Sequence, residues 1–233
     1  MRRSLIPLFL LLIISISCYS RQKLTLGAKG GYANTWILNQ NVKSDPEVSF
    51  LWSFAPHYGV LIRYNLTSTQ YNTIHTGYSL EILLAQYQQK YGPGFLGDDF
   101  ERKMDIYTID VPFMYRYTID YVMNLEIGLM ASYVRLAYGN YPLANDFIKN
   151  GQNFDLTPSF STISAAAIVR VSTDIKITKK VALNPGIMFS YGFLDLISKE
   201  GGRGKFYRGD VKADYRITRT MQEGGWLGLV YRL

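Results

Sequence analysis

Cysteine and histidine are nearly absent from this chain of 233 residues: Cys18 is the single cysteine, and His57 and His75 are the only histidines. A lone cysteine excludes an internal disulfide, and two histidines cannot by themselves build the common zinc ligand sets. Charge is sparse as well. With 18% charged and 48% hydrophobic residues, the composition excludes a disordered polymer, a collagen and a charge-rich coiled coil. Beyond the first twenty residues no apolar run approaches the roughly eighteen residues of a membrane helix. The length suits one domain, including a large all-β one.

The first twenty residues read as an export signal. Arg2 and Arg3 form a basic start, Leu5 to Ile16 is apolar apart from Pro7 and Ser15, and small residues follow at Ser15, Ser17 and Ser20, the order of a secretory leader. The expected division is residues 1–20 as signal peptide and 21–233 as the folded domain. Cleavage after Ser17 instead would make Cys18 the first residue and a lipidation candidate, although Ser15 stands where a lipoprotein signal carries a large aliphatic. Loss of Arg2 and Arg3 lowers the formal charge from +7 to +5. A pI near 9.3 suggests nucleic acid, but export argues against such a partner.

What the rest of the chain has is alternation with a period of two, the mark of strands. Phe54, Pro56, Tyr58, Val60, Ile62 and Tyr64 share one face, and Ala55, His57, Gly59, Leu61 and Arg63 the other. The pattern recurs at Leu24–Tyr32, Tyr78–Leu84, Tyr107–Tyr117, Leu125–Tyr133, Ile163–Val171, Val181–Phe193 and Leu227–Leu233, giving eight strands. Connections near Ser68, Asp120 and Thr178-Lys179-Lys180 are short. Those at roughly 35–50, 90–104, 139–160 and 196–215 are long and polar, as in an up-and-down meander with all long loops at one end.

Face chemistry separates a membrane barrel from a soluble ligand carrier. The bulky faces hold no charge. The opposite faces carry Lys29, His57, Arg63, Glu81, Asp110, Arg116, Glu126, Arg170, Asp174 and Arg232, with many Gly, Ala and Ser. Dozens of large side chains cannot fill the inside of an eight-stranded barrel. Pointed outward they meet lipid, and the charges stay out of hydrocarbon, where an Arg or Lys at the midplane costs about 2–4 kcal/mol. Tyr64, Tyr115, Tyr117, Tyr121 and Tyr231 then fall at the short-turn end, and Trp52, Phe54, Tyr107, Tyr133, Tyr191 and Phe193 at the long-loop end, as two interfacial girdles. Pro56, Pro112 and Pro185 each require a bulge or a missing ladder bond. The expected fold is an all-β, eight-stranded antiparallel transmembrane barrel.

Several short motifs point to one family: Leu26-Gly27-Ala28-Lys29-Gly30-Gly31 at the first strand, Ser79-Leu80-Glu81-Ile82-Leu83-Leu84 before Lys90-Tyr91-Gly92, Tyr107-Thr108-Ile109-Asp110-Val111-Pro112, Ser190-Tyr191-Gly192-Phe193-Leu194-Asp195, and Leu227 to Leu233. Together they resemble the PorT-type outer-membrane β-barrel proteins of the Bacteroidota. The resemblance implies a barrel in the outer membrane and, for the family's namesake, a role in protein secretion and surface maturation. Leu233 departs from the Phe with which such barrels usually end.

No catalytic, cofactor-binding or metal-binding residue is assigned, and no cofactor is expected. Five lumen cations (Lys29, Arg63, Arg116, Arg170, Arg232) against four acids (Glu81, Asp110, Glu126, Asp174) point to an internal network that plugs the barrel. Arg116 is expected to face Asn124 with Glu126 on its diagonal. A rim enzyme acting on lipid or protein is the alternative, with His57 as the candidate base. A soluble periplasmic carrier is the third reading. Gly201 to Arg208 reads as a solvated loop in preference to a site for lipopolysaccharide phosphates, and 139–160, with Tyr141, Phe147 and Phe154, as a surface for a partner. Expected partners are the outer-membrane bilayer, envelope or secretion-machinery proteins, and lipopolysaccharide.

Overall fold

The computed structural model describes residues 24–38, 48–66, 74–93, 102–120, 122–139, 154–197 and 217–233. The expected leader with Cys18, Tyr121, the loop Gly201 to Arg208, and Tyr141 and Phe147 lie outside these residues. Eight long strands form the wall: β1 (Leu24–Leu38), β2 (Phe54–Asn65), β3 (Ile74–Pro93), β4 (Arg102–Ile119), β5 (Met123–Gly139), β6 (Ile163–Thr173), β7 (Val181–Gly192) and β8 (Arg219–Arg232). Each pairs antiparallel with the next, and β8 pairs with β1 from Thr25↔Arg232 to Leu38↔Arg219, so the ring is closed. Closure removes the sheet edges, which a strand in hydrocarbon cannot leave unpaired.

Alternation works as the sequence implies. Tyr58, Val60, Leu80, Ile82, Phe113, Ile127, Leu129, Ile187, Leu227 and Leu229 are exposed on the outside, while Lys29, Arg63, Glu81, Glu126 and Arg170 are buried inside. A soluble carrier would have this arrangement reversed, and that reading is set aside. At the short-turn end Tyr78 meets Tyr115 edge-on at 5.4 Å and Tyr115 meets Tyr117 at 4.9 Å. At the other end Trp36, Trp52 and Phe54 stand in a row with centroids 5.1 and 6.2 Å apart. The tight turn between β4 and β5 places Asp120 at φ 51°, and the Val122 amide donates to the Ile119 carbonyl at 3.0 Å.

Each proline sits where a ladder gives way. The β3–β4 register stops at Leu80↔Phe113 and resumes at Leu83↔Asp110, skipping Pro112. The β2–β3 ladder begins one residue after Pro56, at His57↔Ala85. The β6–β7 ladder begins at Gly186↔Ser172, just past Pro185, and the Asn184 side-chain Nδ2 donates to the Thr173 carbonyl at 3.2 Å across the gap. A register shift at Tyr107/Thr108 marks a bulge in β5 opposite; Arg135 and Leu136 are both exposed there, and Val134 and Ala137 both buried. Several strands run further toward the long-loop end than hydrophobic alternation alone indicates. β3 continues to Pro93, β4 starts at Arg102, and the short strand Val48–Leu51 pairs with Lys90 to Pro93. Among the described residues the wall is therefore tallest at β3–β5.

Candidate functional site

The lumen gathers the charges that sequence alternation places there. Glu81 on β3 is shared by Lys29 of β1 at 2.5 Å and Arg170 of β6 at 2.6 Å. Arg63 of β2 lies 3.2 Å from Asp174 and 3.7 Å from Glu126, and donates to Asn184 at 2.9 Å. Arg232 approaches Asp174 at 3.6 Å from the short-turn end. Carboxylates and cations from six strands thus hold one another across the barrel. Pairing offsets the cost of burial, because a buried charge without a partner costs several kcal/mol.

Two placements differ from the sequence expectation, and one residue was not foreseen. Arg116 stands directly opposite Glu126, whereas Asn124 opposes Thr118 and accepts its hydroxyl hydrogen bond at 2.8 Å. The pairing Ile119↔Met123 centres the turn one residue past Asp120, which moves every partner by two residues and keeps the faces. The Arg116 guanidinium donates to Asn65. Among the described residues Asp110 has no salt bridge; the Tyr87 hydroxyl, 2.9 Å away, donates to it and lies 3.3 Å from the Ser132 hydroxyl. Trp226 is the unforeseen member: its indole N–H donates to Asn184 at 3.2 Å, with the Lys29 ammonium 4.6 Å and the Arg170 guanidinium 5.3 Å from its ring. Its place between Gly225 and Leu227 signals an inward side chain, but strand alternation alone cannot show that two cations converge on it.

Above this network the lumen changes character. Ile37, Ala85, Tyr87, Met104, Ile106, Val134, Ala137, Leu156, Phe160 and Leu196 form one buried apolar cluster. Leu156 and Phe160 come from the connection after β5 and Leu196 from the one after β7. The Leu156 amide donates to the Ala137 carbonyl at 2.8 Å, and a bridge joins Phe160 to Ile197. Part of the 139–160 connection, at Leu156 and Phe160, is thus turned inward as a seal. His57 is 3% exposed inside the barrel, away from the rim where a base would be useful, and neither ring nitrogen has a hydrogen-bond partner among the described residues. His75 is also buried, near the short-turn end of β3.

A closed antiparallel ring with an uncharged exterior between two aromatic girdles and an ion-paired interior defines a transmembrane β-barrel of outer-membrane type. The protein is an outer-membrane β-barrel protein, located in that membrane. Solved barrels of similar shape include Neisserial surface protein A (TM-score 0.42, 10% identity, covering 90% of this chain and 97% of that one). OprG of Pseudomonas aeruginosa is another (0.43, 12%, 92% and 98%), and the outer membrane protease OmpT of Escherichia coli a third (0.38, 9%, 91% and 95%). No family model matches the chain, nor does any curated protein.

Proposed function

We propose that this protein is a non-catalytic member of the outer-membrane barrels, of the PorT type, exported by a leader at residues 1–20 and acting by interaction at the cell envelope, in protein secretion or surface assembly. The observation that supports this reading is the interior of the described residues, where ion pairs span the lumen and apolar side chains gather at the mouth, so the reading assigns the action to the surface. That surface is the tall β3–β5 wall with the loops around it. Its outer face above the girdle is polar, with Gln86 and Gln88 donating to Asp105 at 2.9 and 2.8 Å and Lys103 paired to Asp105 at 2.9 Å.

The test is a cross-linked affinity capture of a tagged copy from outer membranes, with mass spectrometry of what accompanies it. Stoichiometric envelope or secretion proteins, lost when Gln86, Gln88 and Asp105 are replaced together by alanine, are the expected result. Recovery of the barrel alone would sink the docking role. N-terminal sequencing of the mature chain tests the cleavage point and the fate of Cys18.

A further inference from the structure

Four glycines meet at the seam where the ring closes, and they are of two kinds. A Cβ on Gly31 would lie 2.1 Å from the Gly225 carbonyl oxygen, and one on Gly224 would lie 2.5 Å from that of Tyr32. Close approach of β1 and β8 demands glycine at those two positions. Gly30 and Gly225 alternate onto the outer face, and there the space is open. A Cβ on Gly30 would come no nearer than 3.7 Å to another atom, and one on Gly225 would meet only the Gly186 carbonyl oxygen at 3.5 Å. Wall packing does not require glycine at either. What the missing side chains create is a groove of about 630 Å³ on the bilayer side, with the exposed Tyr32, Phe54 and Leu227 as its walls.

The upper end of this groove carries a carboxylate. Glu223 shares the outer face with Leu227 and Leu229 and lies opposite Asn34, level with Phe54 at the long-loop girdle. An ionisable residue on a lipid-facing wall points to a functional site. Its Oε1 accepts hydrogen bonds from Asn34 at 3.3 Å and from the Trp36 indole at 3.4 Å, which tether it at the girdle. Four residues further up the same face, roughly 13 Å along the strand, Arg219 donates to the Tyr191 hydroxyl at 2.9 Å. The Arg219 Nε is buried and has no hydrogen-bond partner among the described residues. From the bilayer outward the order is apolar groove, hydrogen-bond-accepting carboxylate, cation.

We propose that this seam binds one outer-leaflet lipid of a defined class, a phosphorylated glycolipid with amide-linked, hydroxylated acyl chains. One acyl chain lies along Gly30 and Gly225, an amide N–H or hydroxyl at its root donates to Glu223, and the phosphate reaches Arg219 as a charge-assisted hydrogen-bond acceptor. A glycerophospholipid fits poorly, since its ester-linked chains bring only acceptors to the depth of the carboxylate. The site is independent of the docking role proposed above.

Native mass spectrometry of the folded, detergent-extracted barrel offered equal amounts of lipid A and phosphatidylglycerol tests this. The expected result is one retained lipid A per barrel, preferred about tenfold, a difference of about 1.4 kcal/mol. Gly225→Leu, which fills the groove from outside, and Arg219→Gln should each lower that retention several-fold. Folding of each variant is confirmed by its heat-dependent gel mobility, and Gly30→Val replaces Gly225→Leu should the latter fail to fold. Equal retention of the two lipids overturns the proposal, as does unchanged retention in the groove-filling variant. A dimer mass that Gly225→Leu abolishes would overturn it too, by assigning the groove to a second copy of the chain.

Discussion

The lower and upper parts of the same strands are built inside out with respect to each other. On β3, Tyr78, Leu80, Ile82 and Leu84 point outward and Ser79 and Glu81 inward; past Ala85 the outward residues become Gln86, Gln88 and Lys90 and the inward ones Tyr87, Gln89 and Tyr91. β4 inverts at the matching level. Lys103 and Asp105 face out above Tyr107 while Met104 and Ile106 face in, and below it Ile109, Val111 and Phe113 face out while Asp110 and Arg116 face in. Within the bilayer the hydrophobic exterior is solvated by lipid, and the interior is left to polar groups that must satisfy one another. Above the bilayer, water surrounds the wall, and the interior returns to the apolar packing of a soluble barrel. Tyr87 belongs to both regions, with its ring in the upper cluster and its hydroxyl on Asp110. The change of solvent, rather than any change of topology, sets where the pattern turns over.

The largest effect on this contrast should come from the centre of the lower region. Glu81→Leu leaves Lys29 and Arg170 buried without their shared carboxylate, and the loss expected is about 3–5 kcal/mol, read as a lower urea midpoint for unfolding from micelles. Replacing Phe160 by Ala should cost a comparable ~3–5 kcal/mol but act only above the girdle. Faster hydrogen exchange at Met104, Ile106 and Ala137, with Glu81 and Glu126 amides still protected, is the expected signature; uniform loss of protection would show that the two regions unfold as one. A sharper comparison places one substitution at two heights on one face. Ile82→Arg should destabilise by about 2–4 kcal/mol and Gln88→Arg by about 0–1 kcal/mol, and equal effects would mean that the bilayer boundary does not lie between them.

The smallest effect is expected in the upper seal. Hydrogen bonds from the Thr157 side chain and backbone amide, the latter 2.9 Å from Oδ1, hold the Asp155 carboxyl below its ordinary value of 3.8. A depressed folded-state value means that this contact stabilises the turn above the ordinary carboxylate range and is lost as pH falls through the lower folded value. Acidification below about pH 4 should loosen the 3₁₀ turn Thr157–Ser159, seen as faster exchange of the Thr157 amide. Asp155→Asn should remove that pH step.

Legibility in the sequence followed burial by lipid. Eight strands, the outward bulky faces and the lumen charges could all be read because hydrocarbon enforces strict alternation from Leu80 to Leu84 or from Val60 to Tyr64. Where water replaces lipid the enforcement ends, and the extensions of β3 to Pro93 and of β8 back to Arg219 did not stand out. Glu223, at the girdle itself, was missed because Arg219, Met221, Glu223 and Gly225 continue the outward face of Leu227 through a polar, glycine-rich stretch that carries no hydrophobic period. The pairing of Arg116 with Glu126 depended on the turn being centred one residue past Asp120, which composition does not reveal.

By itself the sequence determined that this chain crosses a membrane as strands, which residues face lipid and which face inward, because a period of two and the cost of charge in hydrocarbon are local properties. Only the tertiary structure decided which charges meet. Glu81 joins Lys29 and Arg170 from strands far apart in the chain, and Leu156, Phe160 and Leu196 close one end of the lumen from two separate connections. Closure of the ring at β1 and β8 brings Gly30 beside Gly225 and sets Glu223 above them, since ring curvature and register, fixed by all eight strands together, place residues nearly two hundred positions apart side by side.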